Sequence, residues 1–220
     1  MATLFRVDSS IRTEGSTTRA VADSVVQGWS AQHPDGTVNR RDLGLSPLPA
    51  EAWAIAAGAG YVPADQRTVE QVDAMALAST LADELVAADS YVITSPLYNF
   101  GVAQHLKNWV DLLITDPRMA PGKPSAIAGR SAVLVVARGG GYGPGTPRAG
   151  WDHATAWVQR TLGEVWGLSV ETVETELTLA AVNPAMADLV GLAEESLTAA
   201  HAAASTQGRT LAERLVAATG

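Results

Sequence analysis

Apolar positions along the chain fall into short runs that alternate with helical stripes. The run "TLFRV" (3–7) predicts a buried first strand. Behind it, Ala20, Val21, Val25, Val26 and Trp29 recur at helical spacing within 16–29, and Ser16 is placed to cap that helix. "TVNRRDL" (37–43) is polar at its centre and predicts a second strand near a sheet edge. Residues 44–64 are rich in Pro and Gly, with a short Ala-rich helical piece expected at 50–57. An excursion of that length inside a domain is often functional or an interface. An amphipathic helix follows over 68–87, and "SYVITS" (90–95) is the third strand. Leu106, Trp109, Val110 and Leu113 share one face of a helix over 102–114, and 115–129 reads as a Pro/Gly loop. "SAVLVVAR" (131–138) is nearly continuous in apolar residues, as a strand covered on both faces must be. A glycine-rich loop, a helix over about 150–165, an edge strand "SVETVETEL" (169–177) and an Ala-rich helical segment (184–217) complete the chain.

A strand followed by a helix, five times over, implies an α/β fold with an open parallel sheet and helices on both faces. Right-handed crossovers and five strands favour a flavodoxin-like three-layer sandwich of strand order 2-1-3-4-5. No linker or repeat divides residues 1–220, which are expected to form a single domain.

Composition narrows the chemistry. There are no cysteines among the 220 residues, which removes disulfides, Cys-ligated metals and thiol catalysis. The formal net charge of −8 argues against a broad nucleic-acid or anionic-membrane surface. No apolar run approaches the roughly 20 residues of a spanning helix, and the N-terminus lacks the features of a secretory signal. A soluble, cytoplasmic protein is expected. The four histidines are scattered and the acidic runs lack metal-ligand spacing, so no metal is expected. GxSxG, GxxxxGK[ST] and a GxGxxG after the first strand are all absent, which disfavours hydrolase, triphosphatase and dinucleotide-fingerprint readings.

Ligands of open parallel sheets bind beyond the carboxyl ends of the strands, at the switch in strand order. That rule selects three segments. In "DSSIRTEGSTT" (8–18), Ser10, Ser16, Thr17 and Thr18 offer hydroxyls beside free helix N–H groups, a site for a phosphate monoester. An ordinary Ser/Thr cap is the plainer alternative for that segment alone. In "SPLYNFG" (95–101), Pro96 ends the strand, Leu97, Tyr98 and Phe100 supply apolar walls, and Asn99 tolerates unusual dihedrals. A turn packed under the next helix is its plainer alternative. In "ARGGGYGPG" (137–145), Gly139 and Gly140 let backbone approach a flat ligand beside Ala137, and Arg138 could neutralise negative charge. A flexible, ligand-free loop is the plainer alternative there. All three at one end of the sheet suit a mononucleotide with an aromatic ring, and FMN is such a molecule.

With these motifs, the chain resembles the FMN-dependent NADH-azoreductase and NAD(P)H:quinone oxidoreductase family over nearly its whole length. The likeness rests on "SS" with "STT" (9–10, 16–18), "SPLYNFGVAQHLKNWVDLL" (95–113) and "ARGG" (137–140). It departs from the family where Leu97 replaces Met, Ala137 replaces Ser and Val110 is inserted before Asp111. The resemblance implies that Ser10, Ser16, Thr17 and Thr18 hold the FMN phosphate. It likewise implies that Leu97 to Phe100, following Pro96, and Ala137 to Gly140 line the isoalloxazine. It implies a homodimer with its active sites at the interface, residues 50–65 and 115–130 being the places to look for the partner's contribution. The loops at 115–129 and 139–157 depart from the family and should shape the substrate pocket.

The activity implied is ping-pong: NADH or NADPH reduces the flavin, leaves, and a small quinone, azo or other aromatic acceptor takes two electrons. No side chain is required as a proton donor; water can supply the protons, and Tyr142 and His153 near the loop are the candidate side-chain donors. His105, Lys107 and Asp111 read as helix surface. Two alternatives remain: a dedicated flavin reductase acting on an aromatic or quinone intermediate of a secondary-metabolite pathway, and a flavodoxin-type electron carrier.

Overall fold

A computed structural model describes residues 1–219, with side chains described to Leu215. Five strands form one parallel sheet in the order β2-β1-β3-β4-β5: β1 (Thr3–Asp8), β2 (Thr37–Asp42), β3 (Ser90–Pro96), β4 (Ser131–Ala137) and β5 (Ser169–Thr175). The expected strand order and layering hold. The polar strands β2 and β5 are the two edges, and β3 and β4, buried almost throughout, are the centre.

Because successive strand side chains point to opposite faces, β1 splits its residues between two cores. Leu4 joins Val21, Val25 and Trp29 of α1 (Thr17–Ser30) and Ala200, Ala204 and Ala212 of α6 (Val190–Thr219). Phe5 and Val7 face the other core. That core gathers α2 (Ala52–Ala59), α3 (Val69–Val86), α4 (Gln104–Leu113) and the residues around α5 (Thr155–Arg160). The Ala-rich composition of α6 has a packing cause: Ala200, Ala204, Gly208 and Ala212 recur every fourth residue and lie along α1. A methyl added at Gly208 would sit 2.1 Å from the carbonyl oxygen of Val25, and one at Gly28 would sit 2.4 Å from that of Ser205. The two helices cross backbone on backbone.

Three local expectations change. The helix expected over 150–165 starts only at Thr155, because the Asp152 carboxylate accepts from the Ala154 and Thr155 amides and ends the preceding loop there. It continues as a wider turn over Thr161–Val165. The segment 115–129 is more than a surface loop: Met119 and Ile127 are fully buried, and the Trp166 indole donates to the Met119 carbonyl at 3.2 Å. The last helical segment opens with a 3₁₀ stretch, Pro184–Leu189.

A charged cluster that periodicity does not reveal lies beneath β1. Arg6 and Asp8 are buried on its α1 side, where Arg6 Nε donates to Asp8 at 2.8 Å and Arg40 Nε to the same carboxylate at 2.6 Å. Arg6 also reaches Asp23 on α1. Among the described residues no helix is long and apolar enough to cross a membrane.

Candidate functional site

The stretch after β3 is built as a strained turn. Pro96 is the last strand residue, paired with Ala137, and Leu97 N donates to the Ala137 carbonyl at 2.9 Å. The chain then reverses between Tyr98 and Gly101, with Gly101 N donating to Tyr98 O at 3.0 Å. Asn99 and Phe100 both have positive φ, 49° and 66°, the pairing a type I′ turn requires. Asn adopts this readily; for Phe100 it costs about 1–2 kcal/mol. The turn is held by His153 N, which donates to the Phe100 carbonyl at 2.9 Å. Rings hold it too: Trp151 meets Phe100 edge-on at 5.4 Å, and Tyr142 lies 6.5 Å away. Strain maintained by surrounding contacts is characteristic of functional sites.

The loop after β1 faces this turn. Ser9 fastens it to β3 by two bonds, its hydroxyl to the Thr94 carbonyl at 2.6 Å and its amide to the Thr94 hydroxyl at 3.0 Å. Ser10 Oγ lies 3.1 Å from the Tyr98 hydroxyl, which also accepts from the Ile11 amide at 3.3 Å. Ser16 stands at the N-cap of α1 with extended backbone, yet its hydroxyl makes no capping bond and instead lies 3.3 Å from Thr18 Oγ1. The simple capping role is therefore not the one it plays. The first turn of α1 holds no acidic residue, and Ser16, Thr17, Thr18 and the exposed Arg12 line the cleft at this end.

Arg19 fixes the shape of this loop from below. Its guanidinium donates to Ser10 O at 2.8 Å, to Arg12 O at 2.9 Å and to the Asp42 carboxylate at 2.8 Å. That hydrogen bond from Arg19 holds the Asp42 carboxyl below the usual carboxylate range, and Asp42 in turn raises the Arg19 pKa.

One cleft brings together most of the residues singled out from the sequence: Ser10, Ser16, Thr17 and Thr18 at one end, Pro96, Leu97 and Tyr98 along one wall, Ala137 and Gly139 opposite. Asn99 lines an adjoining cavity, and Leu97, Tyr98 and Leu179 form the ridge between the two. Phe100 and Gly140 line neither, Phe100 standing on the rim.

Arg138, expected to neutralise negative charge on a ligand, turns its charge to the protein's own carboxylates. It is buried and engaged by Asp152 at 2.6 Å, Glu174 at 2.8 Å and the Thr155 hydroxyl at 3.1 Å. Burial works to lower its pKa, but the bonds to Glu174 and Asp152 raise it overall. Its charge is neutralised inside the loop, so it positions backbone. Tyr142 donates its amide to Glu176 and sits in the aromatic rim; His153 meets the site through its backbone.

Sequence reasoning missed Arg12, Thr178 and Leu179. Arg12 stands in the hydroxyl-rich segment itself, and a lone cation among six hydroxyl residues was the available signal. Thr178 and Leu179 carry no motif. They arrive because Leu177 adopts φ 61°, after which Thr178 N and Leu179 N bond back to the Arg138 and Gly139 carbonyls at 3.1 and 3.2 Å. Leu179 packs directly on Gly139, where an added methyl would lie 2.7 Å from it.

This architecture has relatives. Residues 2–204 match the family model described as the flavodoxin-like fold. A protein of Streptomyces coelicolor named FMN-dependent NADH:quinone oxidoreductase is 40% identical over 224 aligned positions, covering 100% of both chains. A namesake from Frankia casuarinae is 39% identical over 203, covering 91% of this chain and 96% of its own. In three dimensions the azoreductase of Bacillus anthracis superposes with a TM-score of 0.76 at 24% identity, covering 96% of this chain and all of its own, a likeness of fold. The chain thus belongs to the flavodoxin-like family, among relatives that carry the name FMN-dependent NADH:quinone oxidoreductase.

Proposed function

We propose that the protein is an FMN-dependent NAD(P)H oxidoreductase that reduces quinones and related aromatic acceptors, azo compounds included. The observation that carries this is the uncapped start of α1: the helix N-terminus, four hydroxyl residues and the exposed Arg12 line one end of the cleft, the donor set a phosphate monoester needs. The rest of the cleft suits the remainder of FMN. Leu97 and Tyr98 give a flat apolar wall, and Gly139 exposes backbone opposite. The relatives' shared name agrees with that chemistry.

Held there, FMN would supply hydride chemistry between NAD(P)H and a quinone: one hydride from the nicotinamide and one proton from water balance the hydroquinone. The chain's part is to bind and orient. Ser10, Ser16, Thr17, Thr18 and Arg12 hold the phosphate, and the rigid 98–101 turn fixes the ring edge. The adjoining cavity beyond the Leu97–Leu179 ridge leaves room for the second reactant.

The protein works as a homodimer on this proposal. Leu45, Trp53, Tyr61, Val69 and Val72 are large apolar side chains left exposed in and around α2 and the start of α3, Tyr61 at 92%. Apolar groups clustered in this way mark an interaction surface.

The test is direct. Purified protein titrated with FMN should quench its fluorescence at one equivalent per chain, and NADH or NADPH should then bleach the flavin without any protein partner. Adding a benzoquinone or naphthoquinone should restore the colour. Failure to bind FMN overturns the cofactor assignment; bleaching only through a redox protein leaves a carrier.

A further inference from the structure

The cations near the cleft divide into two kinds. Arg138 and Arg19 are locked to carboxylates, and Lys107 is paired with Asp111 at 2.5 Å. Arg148 is different. It is exposed, and among the described residues its guanidinium has no ion pair and no hydrogen bond. It is nevertheless held in place. Its guanidinium carbon lies over the Phe100 ring at 5.8 Å and over the Tyr142 ring at 6.0 Å. It also covers Gly140, where an added methyl would come within 3.0 Å of Nη1. The carboxylates nearby are already engaged: Glu176 accepts from Arg138 and the Tyr142 amide, and Asp152 from Arg138, Ala154 and Thr155.

Stacking uses the flat face of a guanidinium and leaves its N–H fork free for a planar oxyanion. Phe100 and Tyr142 lie under the guanidinium, and Trp151, 52% exposed, stands edge-on to Phe100. Aromatic walls with one oriented cation complement a flat molecule bearing a negative group. The geometry points to Arg148 as a specificity residue that selects aromatic acceptors carrying a carboxylate, sulfonate or ionised ring hydroxyl. This rests on the oxidoreductase assignment above and adds the acceptor's charge. Arg12, at the phosphate end of the cleft, answers the cofactor; Arg148, on the rim, answers the acceptor.

The experiment uses FMN-loaded wild type, Arg148→Gln and Arg148→Lys. Each is reduced with NADH, and its reoxidation is followed with naphthoquinone sulfonate and with the parent naphthoquinone. The ratio of the two kcat/KM values should fall about tenfold in Arg148→Gln, the scale of one charge-assisted hydrogen bond, and partly return in Arg148→Lys. Raising the salt should lower the same ratio in the wild type, a measurement that needs no variant. Calorimetry with naphthalene sulfonate, which accepts no electrons, should give weaker binding to Arg148→Gln by a similar factor. An unchanged ratio overturns the proposal. So does an equal loss with both quinones, which would make the residue structural, or a loss confined to reduction by NADH, which would make it a dinucleotide contact. Failure of the oxidoreductase assignment looks different: the wild type would hold no flavin or resist both nicotinamides, and the calorimetric comparison would still decide the anion site.

Discussion

Arg19 Nη2 donates to the carbonyl oxygen of Ser10 at 2.8 Å, reaching from the first turn of α1 back to the loop that precedes it. Its Nε donates to Arg12 O, and Nη1 and Nη2 both donate to the Asp42 carboxylate. One buried side chain thereby sets the distance between the hydroxyl of Ser10 and the amides of α1. Removing it leaves the half-buried Asp42 with only Arg40 at 3.5 Å, so Arg19→Ala should destabilise the fold by about 3 kcal/mol. FMN affinity, measured by fluorescence titration below the melting temperature, should also fall. A variant of normal stability and normal affinity would refute the clamp.

Arg12 and the hydroxyls of Ser16 and Thr18 should separate from Arg19 in their signature. All three face the cleft and contribute little to the core, so Arg12→Gln and the double variant Ser16→Ala, Thr18→Ala should keep their melting temperatures. Their FMN dissociation constants should rise, each lost charge-assisted bond being worth about 1.5–3 kcal/mol. Riboflavin, which has no phosphate, should bind wild type and variants alike. Equal losses for FMN and riboflavin would move the phosphate elsewhere.

Phe100 offers a way to part stability from activity. Glycine at its left-handed position would relieve about 1–2 kcal/mol of backbone strain, offsetting much of the lost ring contact with Trp151 and Tyr142. Phe100→Gly should therefore melt within a few degrees of wild type while kcat/KM for quinones drops. A large fall in melting temperature with full activity would make the turn a folding device only.

Acid should act through Asp42. Its folded pKa lies below the unfolded value, because the hydrogen bond from Arg19 favours the charged form. The stability it supplies is therefore complete above about pH 4, near the unfolded carboxylate value, and is lost as pH falls through the folded value. Melting temperature should hold from pH 7 to 5 and decline below about 4. In Asp42→Asn, already weaker at neutral pH, that decline should be shallower. Parallel acid profiles would remove Asp42 from the account.

Much of this was legible in the sequence because it is periodic. The buried strands and the stripe of Leu106, Trp109, Val110 and Leu113 follow from spacing, and the strand order from the handedness of the crossovers. The three candidate segments follow from the switch-point rule, and the cleft gathers Ser10, Ser16, Thr17, Thr18, Pro96 to Tyr98, Ala137 and Gly139. Long-range charge pairing was not legible. Nothing in "ARGG" reveals that Arg138 turns inward to Glu174 and Asp152, since those partners lie 36 and 14 residues away. Leu179 was hidden for a related reason: its place depends on the left-handed Leu177, and a leucine gives no hint of that conformation.

The close crossing of α1 and α6 has a genetic consequence. Gly28 lies eleven residues from Thr17 along α1, about 16 Å, and Gly208 sits on the terminal helix, yet both lie where a single methyl meets a carbonyl. Any shift of α1 forced there is carried along a rigid rod to the amides at its other end. A random-mutagenesis screen for colonies whose protein has lost its yellow colour should therefore recover Gly28 and Gly208 beside the residues of the cleft. Such alleles would look regulatory from their distance and be purely mechanical in cause.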